Sequence, residues 1–263
     1  MSATSLVNVA ELGALETKIL LIQPDMDWPA RRFLPWLEQQ GIEIELVRPF
    51  LGEPIPQELT ADGLIVLAGY MNAYADDSYP WVPDVRRLYH QADKTATPVL
   101  GVCFGAQLLA TTFGGEVSLD APLGPEIGVV KAHWTPEGQI DDVVGGLSQP
   151  FLAGAFHDDA ISQLPSDAVR LAAGNTYPVQ AFRRGAAVGL QFHPEATPEI
   201  FREWSEVALR RYPWLEELIR AKVQEFERLD AVSMEEKQAL VNNFIDSVRH
   251  TQARKNPSSQ TPR

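Results

Sequence analysis

At 263 residues, 45% hydrophobic and 22% charged with no long biased tract, the chain can bury a large core, as one α/β domain with an appendage or as two small domains. Its net charge of −13 lies wholly before residue 196 and repels phosphate backbones, which argues against nucleic acid as a direct partner. The single cysteine excludes an intramolecular disulfide framework and fits a reducing compartment, the cytoplasm by default.

The opening "MSATSLVNVAELGALETK" (residues 1–17 are read as a lead, and the lysine opens the first strand) has no basic start followed by an apolar block, so no secretory signal is read. No apolar run approaches the roughly 18 to 20 residues that span a bilayer. "KILLIQP" reads as a buried strand, "WPARRFLPWLEQQG" as a helix closed by Gly41, "IEIELVRP" as an alternating strand and "GLIVLAG" as a third. "YPWVPDVRRLYHQAD" becomes helical after its prolines, "TPVLGV" is strand, and "AQLLATTFGG" is a short helix stopped by two glycines. Strands alternating with helices predict a flavodoxin-like α/β sandwich around a mostly parallel sheet.

From about 116 to 192 short strands and turns follow, which predicts antiparallel strands continuing the sheet or a small β addition. Thr197 and Pro198 read as an N-cap and first-turn proline. Two further helices are expected, one carrying Trp214 to Phe226 and one opened by a capping box at Ser233 and Glu236. The organisation expected is a domain over 18–212, a helical extension over 213–253 and a frayed polar tail over 254–263. The extension either packs its apolar faces on the body or forms an interface with another protein.

"GVCFGAQ" carries the only cysteine, Cys103, between a strand and a helix. In that order G-x-C-x-G is the thiol version of a nucleophile elbow, whose glycines let strand and helix meet in a tight turn. Helix onset favours thiolate over thiol, and the N–H of Phe104 would point toward a developing oxyanion. Taken alone, the same cysteine also reads as a small buried hydrophobe. A nucleophilic thiol needs a base. Of five histidines, His90 and His250 fall late in charged helices, while His133 and His157 read as structural or cleft-lining. His193 ends the apolar run "AAVGLQF" at the rim that the elbow would share, and Glu195 two residues on can lie on the same side to orient it.

"GVCFGAQ" and "GLQFHPE", in that order and about 90 residues apart, resemble the class I (triad-type) glutamine amidotransferases, in particular stand-alone members similar to the glutaminase domain of GMP synthase. "LIVLAGYMNAYADDSYPW", "GPEIG", "HDDAISQLP" and "YPVQAFRRG" extend the resemblance over roughly residues 18 to 200. It implies hydrolysis of the glutamine side-chain amide through a thioester, with Cys103 as nucleophile, His193 as base and acid, and Glu195 orienting His193. It also implies an oxyanion hole from the N–H groups of Gly69 and Phe104, and Gln107 beside the substrate. Ala68-Gly69-Tyr70 departs from the family's common Gly-Gly-Pro and "HDD" from His-Gly-Asp. Neither a metal nor a cofactor site is read. The ammonia acceptor would lie on another protein, so a synthase partner or a homo-oligomer is the expected association. Two alternatives keep the motif but change its use: a γ-glutamyl peptidase acting on small conjugates, or a non-enzymatic regulatory or binding descendant.

Overall fold

A computed structural model describes residues 16–255. The elements run β1 (Lys18–Ile22), α1 (Phe33–Gln39), β2 (Glu43–Val47), β3 (Gly63–Val66), α2 (Val82–Thr95), β4 (Val99–Val102) and α3 (Phe104–Thr112). They continue as β5 (Glu116–Ser118), β6 (Glu126–Trp134), α4 (Pro136–Gln139), β7 (Phe151–His157), β8 (Ala160–Gln163) and β9 (Val169–Ala173). The chain closes with β10 (Ala181–Arg184), β11 (Ala187–Leu190), α5 (Pro198–Arg211) and α6 (Glu216–Lys255).

A 9-stranded sheet in the order β2-β1-β3-β4-β11-β10-β9-β6-β7 forms the centre. From β2 to β11 neighbouring strands are parallel, and from β11 to β7 they are antiparallel. The late short strands thus extend the central sheet, and β5 with β8 makes a separate antiparallel pair. The switch occurs at β11, whose partners are parallel β4 on one side and antiparallel β10 on the other.

Strand alternation assigns the two faces. Ile19 and Leu21 of β1 join one core with residues of α1, α5 and α6, whereas Leu20 and Ile22 join the other with residues of α2 and α3. The central strands are buried on both faces, which explains their continuous apolar runs. Thr197 caps α5 as its sequence predicts, its side chain accepting from the Ile200 N–H at 3.3 Å.

The expectation of two helices after residue 213 is corrected: Glu216–Lys255 is one helix of 40 residues. Ser233 does not cap. Its hydroxyl donates back to the Leu229 carbonyl at 2.9 Å and to that of Asp230 at 3.3 Å, so the local hydrogen bond that could open a helix is used inside one. No glycine or proline interrupts the segment, and its buried side chains Ile219, Phe226, Leu240, Val241, Phe244, Ile245 and Val248 hold it on the sheet. The expected lead and tail lie outside the described residues, apart from Glu16, Thr17, Arg254 and Lys255.

Among the described residues no helix is long and apolar enough to cross a membrane, and no group of His, Cys, Asp and Glu is placed to hold a metal ion.

Candidate active site

The parallel register of β4 and β11 brings the two motifs together. Val102 lies opposite Leu190, and the next N–H along, that of Cys103, donates to the Leu190 carbonyl at 2.7 Å. Cys103 itself adopts φ 50 and ψ −105, a region that a side-chain-bearing residue rarely occupies and that surrounding structure must enforce. This is the strained turn an elbow requires.

The enforcing structure is visible at Gly101 and Gly105. A Cβ on Gly101 would lie 2.7 Å from the Gly105 carbonyl oxygen, and one on Gly105 would lie 2.1 Å from that of Val66. Helix α3 therefore crosses the end of β3 at backbone contact, and there is no side-chain slack to absorb a methyl group. Gly105→Ala is expected to lower unfolding free energy by about 3 kcal/mol or more, read as a fall in the denaturant midpoint at unchanged m-value.

On the other strand, the His193 N–H donates to the Gly154 carbonyl at 2.7 Å, an isolated bridge to β7. Its ring is fully buried, packs on Trp204 of α5 at 4.7 Å between centroids, and shares a hydrogen bond between Nδ1 and Glu195 Oε1 at 2.8 Å. The other ring nitrogen, Nε2, is buried without a partner among the described residues. Burial works against the charged ring, but the Glu195 carboxylate and the Cys103 sulfur outweigh it and raise His193 from 6.5 to about 10. The ring is thereby held toward its charged form at neutral pH.

Cys103 is 6% exposed and receives a contact from Gln191 Nε2 at 3.8 Å. It borders a cleft lined also by Trp28, Gly69, Tyr70, Gln107, Asp159 and Arg211. Gly69 thus reaches the cleft beside the thiol, while Phe104, whose side chain is buried, begins α3, where backbone N–H groups have no intrahelical partner. The neighbouring peptide is fixed by Asp25 Oδ2, which accepts from the Tyr70 N–H at 3.3 Å. The unusual loop residues separate: the Ala68 methyl lies in the core, and the half-exposed Tyr70 ring stands edge-on to Trp28 at 4.0 Å. Gln107 also borders the cleft, but its Nε2 donates to the Asp159 carbonyl at 2.9 Å and to Gln191 Oε1 at 3.4 Å. Only its amide oxygen remains for a ligand.

The other histidines divide. His90, His133 and His250 are exposed, whereas His157 is buried at the cleft wall between Glu126 Oε2 at 3.0 Å and the Asp159 carbonyl at 2.9 Å. Residues that the motifs do not disclose complete the surroundings: Trp28 and Trp204, stacked at 5.5 Å, and Arg211, which pairs with Asp120 and Asp158 at 2.7 Å each. The tryptophans come from loop and helix positions with no local signature, so only the tertiary fold reveals them.

Comparison with known proteins identifies the family and the fold. Residues 35–204 match the family model described as Glutamine amidotransferase class-I. A glutamine-hydrolysing GMP synthase of Helicobacter pylori is 31% identical over 159 residues, 60% of this chain and 29% of that protein. In Natronomonas pharaonis, a separate subunit of the glutamine-hydrolysing GMP synthase is 27% identical over 65% of this chain and 87% of its own. The chain therefore spans less than a third of the Helicobacter enzyme but most of the Natronomonas subunit. In fold, it is similar to a crystal structure of a glutamine amidotransferase from Thermotoga maritima, with a TM-score of 0.78 at 23% identity, covering 89% of this chain and 100% of that one. The sheet order, the elbow at the β4 to α3 junction and a family match covering more than half the sequence lead to one conclusion: the chain belongs to the class I glutamine amidotransferases.

Proposed function

We propose that this chain hydrolyses the side-chain amide of L-glutamine through a thioester on Cys103 and delivers ammonia to an acceptor reaction on another protein. The observation that carries the reading is the buried His193 ring, hydrogen-bonded to Glu195 at 2.8 Å on one side and open to Cys103 on the other.

Sγ attacks the amide carbon with the thiol proton held on His193, and the negative charge gathering on the amide oxygen is met by the N–H groups of Gly69 and Phe104. The carbon–nitrogen bond breaks, with the proton on His193 passing to the departing ammonia. Water then attacks the thioester, giving its proton to His193, and glutamate leaves with the thiol restored. Glu195 fixes the ring orientation and supports its positive charge through both halves. The cleft also presents both charges suited to an α-amino-acid head group, an arginine at Arg211 and carboxylates at Asp158 and Asp159. Burial raises Asp159 above its ordinary range, so it gains from a cationic ligand. Relatives named as separate glutamine-hydrolysing subunits of GMP synthase support an association with a synthase, the acceptor being supplied by that partner.

The test is release of glutamate and ammonia from L-glutamine, with a γ-glutamyl dipeptide as the second substrate. Turnover of glutamine is expected. Because His193 is raised to about 10, the imidazolium that protonates ammonia persists below that pH and is lost above it; kcat should hold through pH 8 and fall only on the strongly alkaline side. Turnover of the dipeptide alone would replace this reading with a γ-glutamyl peptidase. Absence of turnover with either substrate, together with no labelling of Cys103 by a glutamine-mimicking electrophile, would leave a binding or regulatory role.

A further inference from the structure

Behind Glu195 lies a buried charge cluster that belongs to neither motif. Asp230 and Lys237, both on α6, are 4% and 1% exposed. Lys237 Nζ donates to Asp230 Oδ1 at 2.8 Å, and the Arg32 guanidinium forks onto the same carboxylate, at 2.8 Å to Oδ1 and 2.6 Å to Oδ2. The fork does more than pair charges: the same Arg32 nitrogen donates at 2.6 Å to the carbonyl of Ala196, the residue following Glu195. The cluster is thus tied to the backbone that presents the carboxylate.

Glu195 itself is 3% exposed, and only one of its oxygens is used. Oε1 meets His193, whereas Oε2 is buried with no partner among the described residues. A buried carboxylate oxygen without a donor is costly unless positive charge lies near it. Lys237 spends one of its three donors on Asp230. Burial holds Lys237 below its ordinary value, with Arg32 adding to the lowering while Asp230 and, last, Glu195 oppose it. Geometry links the two: Lys237 and Arg32 share the Asp230 carboxylate, and Arg32 holds the Ala196 carbonyl, one residue from Glu195. Lys237 is the one buried lysine among the described residues, and it comes from α6, beyond the 35–204 stretch that the family model matches.

We infer that Lys237 is a positioning residue for Glu195, its buried ammonium compensating the unpartnered Oε2 so that the carboxylate stays charged and aimed at His193. Helix α6 is then part of the active centre as well as of the core. The inference rests on the proposed roles of Cys103, His193 and Glu195. It concerns this chain's own extension and not the shared motif.

Lys237→Met separates an electrostatic role from a structural one, because the Arg32 fork still pairs Asp230 and only Glu195 Oε2 loses its compensating charge. The desolvation relieved by replacing the buried ammonium with an apolar side chain of similar length offsets that loss. Expected is a thermal midpoint near that of the parent, with kcat for glutamine lower by about tenfold and KM within about twofold. Iodoacetamide alkylation of the sole thiol at pH 7, which needs no substrate, should slow by a similar factor. Lys237→Gln keeps an amide donor for Asp230 without the charge and should behave alike if the methionine packs poorly. A stable variant with parental kcat and parental alkylation rate would overturn the inference, as would a fall in thermal midpoint with activity intact. Should the parent turn over neither substrate, the proposed function fails, and the alkylation comparison still decides the role of Lys237.

Discussion

Cys103→Ala is expected to abolish glutamate release from glutamine, with kcat down by about 10⁴-fold or more. No other thiol exists in the chain to substitute. The loss should be catalytic and not structural. The Cys103 side chain is small, and its sulfur accepts from Gln191 Nε2 at 3.8 Å. Its backbone is set by the Leu190 carbonyl and by the glycines on either side, so alanine inherits the same φ of 50 at similar strain. Circular dichroism and thermal midpoint should therefore stay near parental values while labelling by a thiol reagent drops from one equivalent to none. Residual turnover above about one per cent would mean that the reaction does not pass through the thioester.

The two halves of the site differ in how far the sequence discloses them. The elbow is local: glycine, cysteine and glycine within five positions between an apolar run and a helical one already state the turn, and backbone contacts of 2.1 and 2.7 Å explain why those glycines are there. His193 and Glu195 are local too, and the parallel pairing of β11 with β4 is all that is needed to bring them to Cys103. The exchange of parallel for antiparallel pairing at β11 is less visible, because short strands of mixed burial in 116–192 fit an appendage as well as an extended sheet. The length of α6 escapes the sequence pattern for a definite reason. Ser233 with Glu236 is a helix-opening pattern only where the chain before it is non-helical, and nothing between residues 216 and 233 breaks the helix. A signal is nevertheless present. Asp230, Ser233, Lys237, Leu240, Phe244 and Val248 follow one another at helical spacing, so the polar residues continue the apolar stripe and are buried with it. Their partner Arg32 stands 198 positions away, which no periodicity can supply.

That separation makes Asp230 the most consequential single side chain outside the active centre. It is the only anion hydrogen-bonded to the cluster's cations among the described residues, so Asp230→Ala leaves Lys237, 1% exposed, and the mostly buried Arg32 facing each other without their hydrogen-bonded counter-ion. Removing one partner from a buried charge group costs about 3–5 kcal/mol, which for a chain of this size lowers the thermal midpoint by roughly 6–20 °C. Lys237→Met removes a charge from the same cluster at a smaller cost, because Asp230 keeps its arginine and the desolvation of the ammonium is relieved. The acid limb carries an independent check. Burial raises Asp230, but hydrogen bonds from Arg32 and Lys237 outweigh it and hold the carboxyl below its ordinary 3.8. A depressed carboxyl contributes stability that is fully present above the unfolded value and is lost as pH falls through the folded one. Parent and variant should therefore differ most at neutral pH and converge as the solution is acidified below about pH 4. A gap that stays constant down to about pH 3 would show that the aspartate stabilises by packing alone. Convergence, coupled with weaker glutamine hydrolysis through the lost Arg32 hold on the Ala196 carbonyl, would tie the stability of α6 to the geometry of Glu195.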